Sequence, residues 1–100
     1  MKLTEAQVYK ALKRVIDPEV GFSVVDMGLV YGVRIKGFDV EVKMTLTSPG
    51  CPLASMIEEM VKDEVRKVKG VKRVKFILVW DPVWDPSKMS PEIRAEMGYD

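Results

Sequence analysis

The sequence predicts one small α+β domain, with helices and strands in the order α-β-β-α-β within residues 1–100. One hundred residues can bury a single core and are too few for a catalytic domain with a separate cofactor domain. Hydrophobic residues make up 47% and charged residues 31% of the chain, a balance typical of folded globular proteins. The spacing of apolar residues alternates between the helical period of about 3.6 and the strand period of about 2. This alternation predicts two helices and three strands.

The first predicted helix covers residues 5–15. Thr4-Glu5-Ala6-Gln7 has the form of a capping box, in which side chains and backbone amides at a helix start bond to one another. Asp17-Pro18 ends the pattern, because the residue before a proline disfavours helical geometry. The apolar positions with helical spacing are Val8, Ala11, Leu12 and Val15.

Two apolar runs follow a loop and predict a β-hairpin. The runs cover residues 29–35 and 38–46 and are separated by Lys36-Gly37. In the second run apolar residues alternate with polar ones, so we expect one face of the hairpin to be buried and the other to be solvated. The alternating apolar residues are Val40, Val42, Met44 and Leu46.

A second amphipathic helix is predicted to cover the apolar face of this hairpin, and Gly70 is its natural stop. We expect Met56 and Met60 to fill space in the core rather than to bind a cofactor. The apolar stripe of this helix consists of Leu53, Met56, Ile57, Met60, Val61, Val65 and Val68.

A third strand is predicted over residues 72–80, followed by an irregular tail over residues 81–100. Prolines disfavour regular structure in this tail, apart from a short possible helix over residues 92–97. The apolar side of the third strand carries Val74, Phe76, Leu78 and Trp80.

Composition excludes several classes of function. Sixteen Lys and Arg against fifteen Asp and Glu leave a net charge of +1, so no overall field attracts nucleic acid or a membrane surface. The start of the chain has no signal-like apolar stretch, and no segment approaches the roughly 20 apolar residues that span a bilayer. We therefore expect a cytoplasmic protein. The absence of histidine excludes histidine-based catalytic triads and histidine-bound zinc.

Cys51 lies in Thr47-Ser48-Pro49-Gly50-Cys51-Pro52, which is predicted to join a strand to the second helix. Pro52 suits the first helical position, which would make Cys51 the N-cap. Backbone N–H groups and the helix dipole would then favour a partly exposed, reactive thiolate. The alternative is a small buried hydrophobic residue. A position between two prolines on a loop favours the functional interpretation.

Other candidate residues are less specific by themselves. Asp17-Pro18-Glu19 places two carboxylates after the first helix, where spacing alone predicts a turn with solvated acids. Thr47 and Ser48 have hydroxyls that suit hydrogen bonding to a thiolate or ligand, or capping of the following helix. Trp80 and Trp84 are expected to close the core, with anchoring of a partner as the alternative.

Several stretches together resemble one known family, the metal-sulfur cluster biosynthesis proteins that include PaaD-like and SufT-like factors. The resemblance covers nearly the whole chain, and its tail is similar to the PaaD-like end of the family. The stretches are Asp17-Pro18-Glu19, Val25-Asp26-Met27-Gly28-Leu29-Val30-Tyr31 and Met44-Thr45-Leu46-Thr47-Ser48-Pro49-Gly50-Cys51-Pro52, with Trp84, Met89-Ser90, Arg94 and Gly98 in the tail.

The resemblance implies an iron-sulfur cluster assembly domain-like fold with a small three-stranded mixed sheet covered by two helices. It also implies an accessory, non-enzymatic role in maturing iron-sulfur proteins or in assembling a metal-containing oxygenase. In the family a common pocket is lined by acids, hydroxyls and the cysteine. At the matching positions of this chain these are Asp17, Glu19, Thr47, Ser48 and the metal-ligating Cys51, with Val20 beside them.

The single cysteine limits how a cluster could be held. An iron-sulfur cluster takes four ligands, usually thiolates, so one copy of this chain cannot fill the coordination sphere conventionally. We expect a transient cluster, a homo-oligomer that pairs through Trp80, Trp84 and the edge of the third strand, and client apo-proteins and other assembly proteins as partners. An adaptor that holds client and scaffold together remains open. A cysteine-nucleophile enzyme is disfavoured, because only Asp17, Glu19 or a lysine would serve as its base.

Overall fold

The computed structural model describes residues 3–18, 20–47 and 54–98. Three strands form one sheet, and the order of the elements along the chain is the predicted one with an additional short helix at the end. Among the described residues no helix has the length and apolarity needed to cross a membrane. The elements are α1 (Glu5–Leu12), β1 (Val30–Lys36), β2 (Asp39–Met44), α2 (Ala54–Arg66), β3 (Arg73–Leu78), a 3₁₀ turn (Pro86–Lys88) and α3 (Pro91–Glu96).

Helix α1 begins with the predicted capping box. The Thr4 hydroxyl accepts from the Gln7 amide at 3.3 Å, and the Gln7 side-chain oxygen accepts from the Thr4 amide at 2.9 Å. The helix ends at Leu12, three residues earlier than predicted. The amides of Arg14 and Val15 donate to carbonyls three positions earlier, so the chain tightens into a narrower turn there.

Strand β2 is the centre of the sheet. It pairs antiparallel with β1 and parallel with β3, which confirms the mixed three-stranded sheet. Val42 lies opposite Val33 on one side and Phe76 on the other, so these three side chains share one face. Alternate residues along β2 therefore point into the core, as the period of about 2 predicted.

The core lies between one face of the sheet and helices α1 and α2. Met56 is 49% exposed, so the prediction that it fills the core is wrong. The buried stripe of α2 is centred on Ile57, Val61 and Val65, and Met56 lies about 100° away from Ile57 around the helix. Met60 packs against the core as predicted. The buried core residues are Val8, Leu12, Val15, Val24, Met27, Leu29, Val40, Val42, Met44, Leu46, Ile57, Val61, Val65, Val74 and Met89.

Strand β3 is shorter than predicted and ends at Leu78 rather than at residue 80. The Val79 amide donates to the Met44 carbonyl at 2.8 Å, and Met44 is the last residue of β2. Beyond this bond β3 has no neighbouring strand among the described residues. Leu78 and Trp80 are 37% and 38% exposed, so the expectation that Trp80 closes the core is wrong.

The tail after β3 is more regular than predicted. Pro86 opens the 3₁₀ turn behind Asp85, and Pro91 opens α3 behind Ser90. Proline fits the first helical position because the amide that it lacks has no intrahelical partner there. The expectation of an irregular tail is therefore wrong for the 3₁₀ turn, while the short helix is confirmed one residue earlier than expected.

The tail also packs against the loop that precedes β1. The Trp84 indole N–H donates to the Met27 carbonyl at 2.7 Å, and the Ser90 amide donates to the Asp26 carbonyl at 2.8 Å. Met89 is 3% exposed and belongs to the core. Trp84 thus closes the core, as expected.

Candidate functional site

A closed turn follows α1 and holds Asp17. The Asp17 amide donates to the Phe22 carbonyl at 2.9 Å, and the Gly21 amide donates to the Asp17 carbonyl at 2.8 Å. Ile16 and Ser23 form an antiparallel bridge across the base of this turn. Gly21 has a φ of +78°, which glycine adopts without strain. Asp17 is only 7% exposed, so the prediction of a solvated acid is wrong for this residue.

The carboxyl end of β2 provides the second part of the candidate site. Leu46 is buried and belongs to the core, whereas Thr47 is exposed. Thr45 is fully buried, and its hydroxyl oxygen has no hydrogen-bond partner among the described residues. A buried hydroxyl without a partner is unfavourable, which makes Thr45 an unusual residue in an otherwise apolar environment.

Three backbone hydrogen bonds connect these two parts of the candidate site. The Val24 amide donates to the Val15 carbonyl at 3.0 Å, and the Leu29 amide donates to the Val24 carbonyl at 3.0 Å. The Thr45 amide then donates to the Leu29 carbonyl at 2.9 Å. Val15 lies two positions before Asp17, and Thr45 lies two positions before Thr47. We call this series the backbone ladder.

The structure describes three of the six predicted site residues. Asp17 lies in the closed turn, Val20 in the same turn packs against the core, and Thr47 lies past the end of β2. Within the described residues no group of three or more Cys, Asp or Glu could hold a metal ion. The shared pocket around Cys51, its N-cap position and its reactivity stay predictions. The predicted residues outside the described ones are Glu19, Ser48 and Cys51.

Sequence analysis missed the turn that holds the loop before β1. The Ser23 hydroxyl accepts from the Asp26 amide at 3.0 Å, and Ser23 is buried. Serine three positions before an amide that it bonds is a recognised local motif, so the spacing of Ser23 and Asp26 carries the signal. This turn positions both Val24 and Leu29 for the backbone ladder.

Tyr31 lies where the tail meets the sheet. Its hydroxyl donates to the Pro82 carbonyl at 2.8 Å, and the Lys88 ammonium lies 5.3 Å from its ring centroid. Burial raises the pKa of Tyr31, and the negative charges of Asp85 and Asp81 raise it further. Tyr31 therefore stays a neutral hydrogen-bond donor at neutral pH and helps to fasten the tail.

Two proteins of similar sequence match most of the chain. An Fe-S protein maturation auxiliary factor from Porphyromonas gingivalis is 45% identical over 98 residues, which is 96% of this chain and 92% of that protein. The Fe-S protein maturation auxiliary factor SufT from Staphylococcus aureus is 38% identical and covers 84% of this chain and 97% of its own length. Both matches include most of the predicted domain.

The fold and the family agree with these relatives. A crystal structure of a domain of unknown function, DUF59, from Bacillus anthracis superposes with a TM-score of 0.89 at 36% identity. The superposition covers 96% of this chain and 92% of that one. A family model described as iron-sulfur cluster assembly protein matches residues 5–76. The chain therefore belongs to the iron-sulfur cluster assembly protein family.

Proposed function

We propose that this chain is an accessory factor that assembles iron-sulfur clusters or transfers them to client proteins, and that it acts through Cys51. The observation that carries the proposal is the backbone ladder. It connects the turn holding Asp17 to the strand end that leads towards Cys51. A rigid connection of this kind would hold acid, hydroxyl and thiol groups in a fixed arrangement. The relatives are Fe-S protein maturation auxiliary factors, which supports the same function.

A single copy of the chain has too few cysteines to hold an iron-sulfur cluster. The sequence has one cysteine and no histidine, so two copies would supply two thiolates and leave the other two positions of a four-ligand cluster to carboxylates, a small thiol or a client protein. Carboxylates such as Asp17 would be weaker ligands for such a cluster than thiolates, which would leave it labile and ready for transfer. The cluster is thus the cargo of the protein. Leu78 and Trp80 are exposed at the end of an edge strand and belong to the surface through which we expect two copies to pair. Trp84, which is also expected there, packs against the core and contributes only its exposed part.

The proposal includes the setting in which the protein works. Its partners are client apo-proteins and other cluster assembly proteins, it acts in the cytoplasm, and it has no enzymatic turnover. The alternative is an adaptor in which Cys51 makes a transient ligand or mixed-disulfide contact during maturation of a metal-containing oxygenase. A cysteine-nucleophile enzyme is the least favoured alternative, since the chain has no histidine to act as base.

Anaerobic reconstitution with iron and sulfide tests the proposal. Wild type, Cys51→Ser and Asp17→Asn are loaded, and absorbance, size and transfer to an apo-protein are measured. Asp85→Asn, an exposed acid in the tail, is the matched control for Asp17→Asn. Denaturation curves establish that each variant is folded.

We expect wild type and Asp85→Asn to bind a transferable cluster as a dimer or larger assembly. Cys51→Ser should bind none, and Asp17→Asn should bind less or release it faster. A stable cluster on a monomer, or equal loading of Cys51→Ser, would contradict the transfer mechanism. Loss of client maturation by Cys51→Ser without any cluster on wild type would favour the adaptor.

A further inference from the structure

The face of the sheet that points away from the helices carries most of the charge in the strands. Cross-strand register places Glu41 between Arg34 and Lys75, and the same register aligns the neighbouring residues. We call this the outer sheet face. It consists of Arg34, Lys36, Asp39, Glu41, Lys43, Arg73 and Lys75, of which Glu41 is half-buried and the others are exposed.

The outer sheet face is more basic than the rest of the chain. Five cations and two carboxylates give it a charge of +3, while the whole chain carries only +1. The remainder is therefore acidic by two charges. Within residues 3–18, 20–47 and 54–98, the ion pairs involve Arg14 and side chains of α2 and the turn after it, and none includes a residue of this face. The cations of the outer sheet face are available to a partner.

A groove crosses this face at Gly32. One cavity of about 240 Å³ lies over Gly32, between Arg34 and Lys43, and a second of about 580 Å³ reaches Lys88 in the tail. The two cavities share Tyr31 and Lys43, so they adjoin each other, and we call them together the groove. A Cβ atom on Gly32 would meet no atom within 4 Å. Packing therefore does not require glycine here. The register of β1 and β2 shifts between Val30 and Gly32, and glycine inside a strand often marks such an irregularity or the close approach of another backbone.

We propose that this groove docks an extended acidic segment of a partner protein, an interaction that the proposed cluster chemistry does not itself require. Three cations, Arg34, Lys43 and Lys88, follow its length and complement carboxylates. Arg34 and Lys43 are diagonal neighbours across β1 and β2, and an extended chain presents alternate side chains to one surface.

Charge and shape favour a protein over a nucleic acid. Glu41 and Asp81 also line the groove and would repel a phosphate backbone, whose charges cannot turn away, whereas an extended peptide points every second side chain away from the groove. The Tyr31 ring already faces the Lys88 ammonium at 5.3 Å, so it is not open to a stacking base.

Fluorescence anisotropy with labelled poly-L-glutamate tests this docking site, with single-stranded DNA as the second probe. The groove variants are Arg34→Glu/Lys43→Glu and Gly32→Phe. The matched control is Lys10→Glu/Lys13→Glu, which reverses two exposed cations of the α1 region and changes the net charge equally. Gly32→Phe fills the groove without changing the charge and should not weaken the strand.

We expect wild type and the control to bind poly-L-glutamate with affinities within about threefold, and the double groove variant to bind at least about tenfold more weakly. Gly32→Phe should also weaken binding, and raising the salt from about 0.02 M to about 0.3 M should weaken it in wild type. Equal losses in the control and the groove variant would overturn the proposal, as would undiminished binding by Gly32→Phe. Absence of poly-L-glutamate binding, or tighter binding of DNA, would overturn it as well.

Discussion

Replacing Gly28 by alanine should destabilise the protein through a specific clash with the tail. Gly28 has a φ of +74°, a conformation that residues with a Cβ adopt only with strain. A Cβ placed there would overlap the Lys88 carbonyl oxygen and lie 2.5 Å from the Lys88 carbonyl carbon. The obstacle is backbone rather than a flexible side-chain end, so the tail must move.

Two contributions set the size of this effect. The left-handed conformation costs a non-glycine residue about 1–2 kcal/mol. Displacing packed neighbours costs about 1–3 kcal/mol more, so the expected loss is about 2–5 kcal/mol of unfolding free energy. Gly37 provides the matched control, because its φ is +60° and a Cβ there would meet nothing within 4 Å. Gly37→Ala should therefore lose only about 1–2 kcal/mol, which is what the left-handed backbone conformation costs.

Urea denaturation of both variants measures the difference, and limited trypsin digestion reports whether the tail has moved. We expect Gly28→Ala to lose more stability than Gly37→Ala and to be cut faster at Lys88, which is half-buried in wild type. Equal stabilities to within about 0.5 kcal/mol, with unchanged digestion, would show that the tail does not press on Gly28.

Three further substitutions test individual contacts by denaturation. Trp84→Phe keeps an aromatic ring but removes the indole N–H, and should cost about 1–2 kcal/mol because a carbonyl loses its donor. Hydrogen bonds from Arg14 and then Lys67 lower the pKa of the Glu64 carboxyl, so its stabilising effect exists at neutral pH and disappears as the pH falls through that lowered pKa. Glu64→Gln should therefore be less stable than wild type by about 0.5 kcal/mol at neutral pH and equal to it in acid. Thr45→Val should leave stability unchanged or raise it by about 1 kcal/mol, since the hydroxyl that it removes has no partner among the described residues, and a marked loss would contradict this.

Local sequence patterns predicted most of the fold. The capping box at Thr4 and the hairpin around Gly37 both depend on residues a few positions apart. The predicted stop at Gly70 is wrong, because α2 ends four residues earlier, at Arg66. The contacts of the tail do not depend on such local patterns. Trp84 and Met27 are far apart in sequence, and no periodic spacing of residues predicts the hydrogen bond between them. The two helical segments of the tail did have a sequence signal, because each begins with a proline directly after a capping residue. Treating every proline as a residue that ends helices overlooks this signal.

The sequence predicted which residues belong to the candidate site but not how deeply they are buried. Asp17 stands out by its motif, but its burial follows from the closed turn and not from spacing. Thr45 occupies a polar position of an alternating strand and is expected on the solvated side. It is buried instead, beyond the last paired residue of β2, where its amide bonds to Leu29. Alternation describes only the length over which strands pair.

The central position of β2 has a consequence for the rate of folding. Its pairing with β1 joins residues as close as Lys36 and Asp39, and such hairpins close in about 1–10 μs. Every pair between β2 and β3 joins residues thirty-four positions apart, as Asp39 and Arg73 do, and closing so long a loop has a larger entropic barrier. The parallel pairing is thus the slow step. Substitutions that weaken α2 should slow refolding more than substitutions in the hairpin turn.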